Sequence, residues 1–103
     1  MIAFDANLVE KIRLMARRAD RPSSILREIT TQLSPTIADQ FVLIRYFAEA
    51  FCFKDGQGHP IHGWSPDGSG ELKDDDIDHI MAKRIQQTRT DWDKPVQASR
   101  HAS

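Results

Sequence analysis

Apolar residues recur every three or four positions in three stretches of the chain, a spacing that predicts three amphipathic helices. The helices are expected over residues 6–19, 24–33 and 75–90. One face of each should pack against a shared core, while the polar face meets solvent. The apolar faces consist of Leu8, Ile12, Met15 and Ala19, then Ile25, Leu26, Ile29 and Leu33, and finally Ile77, Ile80, Met81 and Ile85.

The most apolar stretch begins at Ser34-Pro35, ends at about Cys52, and predicts one more helix. Ser34 can cap its first turn, and Pro35 suits the first helical position, where no backbone N–H is needed. Apolar residues cover most of its circumference, so we expect a central helix buried on several sides. Because Cys52 closes this run, we expect its thiol to be an inert core group. The apolar residues are Ile37, Phe41, Val42, Leu43, Ile44, Phe47, Ala48, Ala50 and Phe51.

Short polar residues precede the other three predicted helices. Their side-chain oxygens can accept the free backbone N–H groups of a first helical turn. We expect Asp5 to cap the first helix, Ser23 or Ser24 the second, and Asp74 the last.

A long loop separates the last two helices. Residues 54–71 hold all five glycines of the chain, and loops of this length are usually functional or packed by their own side chains. A very short hairpin between Phe51–Phe53 and Ile61–Trp64 would also fit. The predicted fold class is therefore all-α. We expect a small four-helix domain over residues 1–92 and a flexible tail over residues 93–103, with Trp92 folded back onto the core.

Composition narrows the setting in which the protein works. The 103 residues are 40% hydrophobic and 28% charged, an ordinary globular mixture. No apolar run approaches the roughly 20 residues that span a bilayer, and charges lie within the first apolar stretch, unlike a signal peptide. The single cysteine cannot form an intrachain disulfide. We expect a cytoplasmic protein that makes no membrane contact.

The net charge of −1 hides an acidic segment. Residues 65–78 carry −5, whereas residues 1–33 carry +2 and residues 79–103 carry +3. Such blocks can mark interaction surfaces, although carboxylates at a helix start also complement the helix dipole. The carboxylates of this segment are Asp67, Glu71, Asp74, Asp75, Asp76 and Asp78.

Metal-binding patterns are incomplete in this sequence. His59 and His62 form one pair, whereas a zinc site needs about four convergent ligands. The acidic residues from Asp74 to Asp78 begin like a calcium loop, but the required glycine and glutamate are missing. We therefore predict no metal and no cofactor.

Catalytic and DNA-reading patterns are missing as well. The sequence has no nucleophile elbow, phosphate-binding loop or dinucleotide fingerprint. Asp67 and Glu71 could form an acid–base pair, yet a domain this small offers little room for a cleft. A helix-turn-helix would present Gln40 and Arg45 from a face that the core needs. We expect neither an enzyme nor direct nucleic-acid binding.

Trp64 lies in the polar loop beside the acidic segment and allows two interpretations. It can close one end of the helical bundle and hold the loop in place. Alternatively, it can be an exposed anchor for a partner, because tryptophan is enriched at interface hot spots. Both roles are compatible with outward-facing carboxylates around it.

The stretch from His62 to Leu72, HGWSPDGSGEL, together with FAEAF at residues 47–51, resembles small bacterial proteins that carry a G-W-x-P-D-G-[ST]-G-E motif before a short acidic helix. The resemblance covers about residues 47–85. It points to immunity proteins, which are encoded beside polymorphic toxins such as those of contact-dependent growth inhibition.

The resemblance implies a small, cytosolic, non-catalytic protein that binds a cognate toxin domain and blocks its active site. Many such toxins are nucleases with basic clefts, so an acidic surface can take the place of nucleic-acid phosphates. The expected contact residues are Trp64 and the six carboxylates of residues 65–78. The alternative is a general interaction or adaptor domain, which could be a homodimer.

Overall fold

The computed structural model describes residues 5–33, 39–54 and 56–93. Within these ranges the chain is helical, and the predicted all-α class with four main helices is confirmed. A short fifth helix and one 3-10 helix, His59–Gly63, complete the fold. The α-helices are α1 (Ala6–Arg17), α2 (Pro22–Gln32), α3 (Gln40–Phe51), α4 (Asp74–Gln87) and α5 (Arg89–Trp92).

The five α-helices of the described ranges enclose one hydrophobic core. Its centre is formed by α3, which packs against α1, α2, α5 and the 3-10 helix. Phe47 and Phe51 are fully buried there, with their rings edge to face at a centroid distance of 5.2 Å. Trp92 is buried against Phe51, and its indole N–H donates to the carbonyl oxygen of Ile85 at 3.0 Å. The expected return of Trp92 to the core is therefore confirmed, whereas residues 94–103 lie outside the described ranges.

The short hairpin considered for the loop is wrong. The described part of the loop contains no strand, and residues 59–63 form the 3-10 helix instead. Pro60 suits the first turn of this helix, because backbone N–H groups have no helical partner there and proline has no N–H to leave unpaired. One isolated bridge joins Trp64 to Leu72, where the Leu72 N–H donates to the Gly63 carbonyl at 2.8 Å.

Of the three caps expected for α1, α2 and α4, one is confirmed and two are wrong. Asp5 caps α1 as predicted, by accepting the N–H groups of Asn7 and Leu8. However, α2 begins at Pro22, and neither Ser23 nor Ser24 is its cap. The N–H of Ser23 instead donates to the carboxylate of Asp78 in α4, at 2.7 Å. A carboxylate from a neighbouring helix therefore satisfies the start of α2, which the local sequence could not reveal.

Helix α4 begins one residue earlier than its expected cap at Asp74 would place it. Asp74 is the first helical residue, and Lys73 is the residue before the helix. The carboxylate of Asp76 accepts the backbone N–H of Lys73 at 3.1 Å. Asp74 is therefore free to use its own carboxylate elsewhere in the fold.

The expectation of a central helix buried on several sides is confirmed for α3, although its outer side is open, with Phe41 57% exposed. The expectation for Cys52 is wrong. Cys52 is exposed, because it ends the helix in a left-handed conformation (φ 55°) and turns away from the core. At the other end, Asp39 caps the helix by accepting the N–H of Val42, while Ser34 and Pro35 lie outside the described residues.

The turn after α1 contains an alanine in a conformation that favours glycine. Ala19 has a φ of 66°. The backbone N–H of Ala19 donates to the carbonyl oxygen of Ala16, and that of Asp20 donates to the carbonyl oxygen of Met15. These two hydrogen bonds form a Schellman motif at the end of the helix. An L-residue with a Cβ is strained in this region, whereas glycine is not.

We predict that Ala19→Gly raises the free energy of unfolding by about 0.5–1 kcal/mol, because relief of this strain outweighs the added freedom of the unfolded chain. Urea denaturation monitored by circular dichroism measures the change. The matched control is Ala82→Gly, an exposed position inside α4, which should lose about 1 kcal/mol. A loss of stability at both positions would show that the Ala19 turn is not strained.

Candidate functional site

Trp64 is buried at the junction of the loop with α2 and α4. Its side chain is 0% exposed. The indole N–H donates to Oδ1 of Asp74 at 3.0 Å, and the guanidinium of Arg27 lies 5.3 Å from the ring centroid. Of the two interpretations of Trp64, the structure therefore agrees with the one in which its side chain is packed inside the domain. In this conformation Trp64 holds the loop and offers no surface to a partner, which corrects its place among the expected contact residues.

Asp74 joins three parts of the chain through one carboxylate. Arg27 of α2 donates to both of its oxygens, at 2.9 and 3.1 Å, and Trp64 of the loop donates to one of them. Two-pronged arginine–carboxylate pairs are stronger and more directional than single hydrogen bonds. The Arg27 bonds, followed by the Trp64 bond, hold the pKa of Asp74 below its ordinary value of 3.8.

The loop that follows Trp64 folds tightly around it. A Cβ on Gly70 would collide with the carbonyl oxygen of Gly63 and would lie 2.9 Å from the backbone nitrogen of Ser65. Only glycine fits such a backbone crossing. Asp67 accepts both the N–H and the hydroxyl of Ser69, at 2.9 and 2.6 Å, and these bonds lower its pKa. The central part of the motif is thus a fixed turn.

Arg21, just before α2, pairs with two more carboxylates of α4. Its guanidinium donates to Asp78 at 2.6 Å and to Asp75 at 2.9 Å. Asp78 is only 15% exposed and also receives the Ser23 N–H, whereas the side chain of Asp75 is 95% exposed. Asp78 therefore serves the fold, and Asp75 faces solvent.

The six predicted carboxylates divide into two groups. Asp74 and Asp78 are partly covered and tie α2 to α4. Asp67, Glu71, Asp75 and Asp76 are exposed, and we call these four the acidic surface. Asp67 and Asp76 also make local hydrogen bonds, but their side chains still reach solvent.

Sequence reasoning missed the cations that accompany these acids. Residues 65–78 carry a net charge of −5, and the pairing of Arg21 and Arg27 with them reduces the local net charge to −3. The two arginines line a shallow concavity of about 440 Å³ with Lys73, together with Asp67, Asp74 and Asp75. The net charge of +2 on residues 1–33 indicated that cations were present. It could not indicate which carboxylates they pair with, because the contact of α2 with α4 depends on tertiary packing.

The histidine pair of the loop lies apart from this surface. His59 and His62 are exposed on the 3-10 helix, with ring centroids 5.3 Å apart. Among the described residues, no group of three or more histidine, cysteine, aspartate or glutamate side chains is arranged to hold a metal ion. The two rings instead line a groove beside α3.

Comparison of the chain with family models, curated proteins and solved structures finds no match. Within the described ranges, no helix has the length and apolar character needed to cross a membrane. The fold defines a small helical domain, and the geometry of its surfaces is the basis for inferring its function.

We predict that Asp74→Asn lowers the free energy of unfolding at pH 7 by at most about 1 kcal/mol, because Arg27 loses a charged partner but solvent screens a pair that is more than a third exposed. The pKa of Asp74 is lowered in the folded protein, so its carboxylate stabilises the fold above the ordinary pKa of 3.8. That contribution is lost as the pH falls through the depressed pKa. The difference between wild type and variant should therefore shrink below about pH 4.

Urea titrations of both proteins between neutral and acidic pH test this expectation. Asp75→Asn is the matched control, since its carboxylate is 95% exposed and surface pairs contribute little. A difference for Asp74→Asn that stays constant down to the lowest pH would show that its charge does not stabilise the fold.

Proposed function

We propose that this chain is an immunity protein that binds a cognate bacterial toxin domain, of the nuclease type, and occludes its active site with the acidic surface. Such an inhibitor would be non-catalytic and would act in the cytoplasm. The main support is structural: four exposed carboxylates lie on a loop and a helix start that the buried Trp64 holds in place. The resemblance of residues 62–72 to the immunity-protein motif supports the same conclusion.

A fixed surface favours tight binding. Trp64, Asp74 and Arg27 connect the loop to both neighbouring helices, and Gly70 permits the close crossing of the backbone. Because little conformational entropy remains to be lost on binding, more of the contact energy becomes affinity. The loop that carries the motif is thus suited to recognition.

The charge of this surface complements a basic cleft. Nucleases bind phosphate groups with arginine and lysine, and carboxylates can pair with the same cations. Asp75 pairs with an exposed arginine, so a cation of the partner can replace Arg21 at little cost. Complementary charge also speeds association, and salt weakens this effect.

We predict that the double variant Glu71→Lys, Asp75→Lys weakens toxin binding by at least about 10-fold while the fold survives, because both residues are exposed and cap no helix. Asp78 is left unchanged because it satisfies the start of α2. The measurement uses the C-terminal domain encoded by the neighbouring gene, co-expressed and co-purified with this chain, followed by association kinetics at low and high salt.

The control variant Glu10→Lys, Asp91→Lys changes the net charge equally on exposed carboxylates outside residues 65–78 and should bind like wild type. Cells that express the toxin domain should grow only with wild type or the control. Failure of the wild-type chain to bind the domain or protect growth would contradict the proposed function. Equal toxin binding by the two double variants would show that the acidic surface does not contribute to binding.

The second candidate is a general interaction or adaptor domain. It is favoured by the two large apolar side chains that the described surface exposes, Phe41 on α3 and Leu14 on α1. Such a domain would bind its partner through apolar contacts, so Glu71→Lys, Asp75→Lys would leave binding unchanged. A regulatory or metabolic protein encoded beside this chain, and bound by it, would support this candidate.

A further inference from the structure

The outer side of α3 carries an apolar ridge beside an apolar groove. Phe41 is 57% exposed, and Ile44 and Ala48 follow it on the same side of the helix. These residues line one wall of a groove of about 290 Å³, and Phe53, Gly56 and Gly58 line the other wall. Its described lining also includes Lys54, His59 and His62, and therefore combines apolar groups with groups that carry or can accept positive charge.

An exposed phenylalanine at this place is unusual for the helix that centres the core. The remaining large apolar residues of α3 are buried or partly buried. Single exposed apolar residues are common on proteins, but a ridge that continues into an apolar groove is typical of an interaction surface. Arg45 lies with its guanidinium 5.8 Å from the Phe41 ring centroid, so a cation borders the ridge.

We propose that this side of α3 binds a second copy of the chain, with the two α3 helices antiparallel around a two-fold axis. A two-fold interface must be self-complementary, because each copy contributes the same patch. This patch contains both a projecting side chain, Phe41, and an apolar groove of a size to receive one. Each copy can insert Phe41 into the groove of the other.

The charges along α3 fit the same arrangement. Arg45 and Glu49 are both exposed and lie one helical turn apart. If the two-fold axis passes at the level of residue 47, Arg45 of one copy is level with Glu49 of the partner subunit, and the reverse holds by symmetry. In the same register Phe41 comes level with the C-terminal end of α3 of the partner subunit, beside which Phe53 lines the groove. Ala48 lies near the axis, and its small side chain allows close approach of the helices.

The proposed dimer surface is separate from the acidic surface. The residues that line the α3 groove and those that line the concavity at Arg21 and Arg27 have no member in common. Dimer formation therefore does not depend on the proposed toxin-binding role, and the two can fail independently.

Analytical ultracentrifugation of the full chain tests the proposal, over about 1 µM to 1 mM protein, a range that covers weak and moderate affinities. The expected mass rises from 11.8 kDa towards twice that value with concentration. Phe41→Glu should raise the dissociation constant at least about 10-fold, as expected for a central aromatic contact. Leu14→Glu is the matched control, since Leu14 is 53% exposed on α1, and it should leave the dimer intact.

The register is tested by exchange of charges. Arg45→Glu and Glu49→Arg should each weaken the dimer, and the double variant should restore it, because both cross-dimer pairs form again with reversed signs. Circular dichroism and thermal unfolding establish that each variant is folded. A double variant as weak as the single ones would overturn the antiparallel arrangement.

A mass of 11.8 kDa at every concentration would overturn the dimer itself. So would Phe41-dependent binding of the neighbouring gene's product by a chain that stays monomeric, because that result assigns the α3 surface to a different partner. Loss of the dimer in Leu14→Glu, with Phe41→Glu unaffected, would also contradict the proposal.

Discussion

The carboxylate of Asp74 holds together the parts of the molecule on which its surface chemistry depends. It accepts two hydrogen bonds from Arg27 of α2 and one from the buried indole of Trp64, while its backbone begins α4. One side chain therefore fixes two helices and the motif loop relative to each other. Without this pairing, the buried indole N–H of Trp64 would lose its acceptor, and a buried donor without an acceptor is costly.

This arrangement explains how an acidic segment can serve both stability and recognition. Asp74 and Asp78 connect α2 to α4, and their charges are largely matched by Arg27 and Arg21. The carboxylates of the acidic surface gain less from the fold because they remain in water. The structural acids thus position the exposed ones, and the latter are the residues that a basic partner would meet.

The sequence predicted the elements that local rules govern. Apolar periodicity located α1, α2 and α4, and the expected cap at Asp5 was correct. Long-range packing decided the rest: Asp78 from α4 satisfies the start of α2, so no serine cap is needed there, and Cys52 leaves the core because it ends α3 in a left-handed turn. The acidic residues were visible as a block, but their partners Arg21 and Arg27 lie roughly fifty residues away in the chain and become neighbours only through folding.

The buried indole N–H of Trp64 donates to the ionised carboxylate of Asp74, and the arrangement of the loop depends on this hydrogen bond. Nuclear magnetic resonance of the ¹⁵N-labelled protein tests it most directly, through solvent exchange and pH titration of the Trp64 indole signal. We expect slow exchange at neutral pH and a shift of the signal in acid, with a midpoint below 3.8, as Asp74 is protonated. Fast exchange at neutral pH, or an indole signal that does not respond to the titration of Asp74, would contradict it.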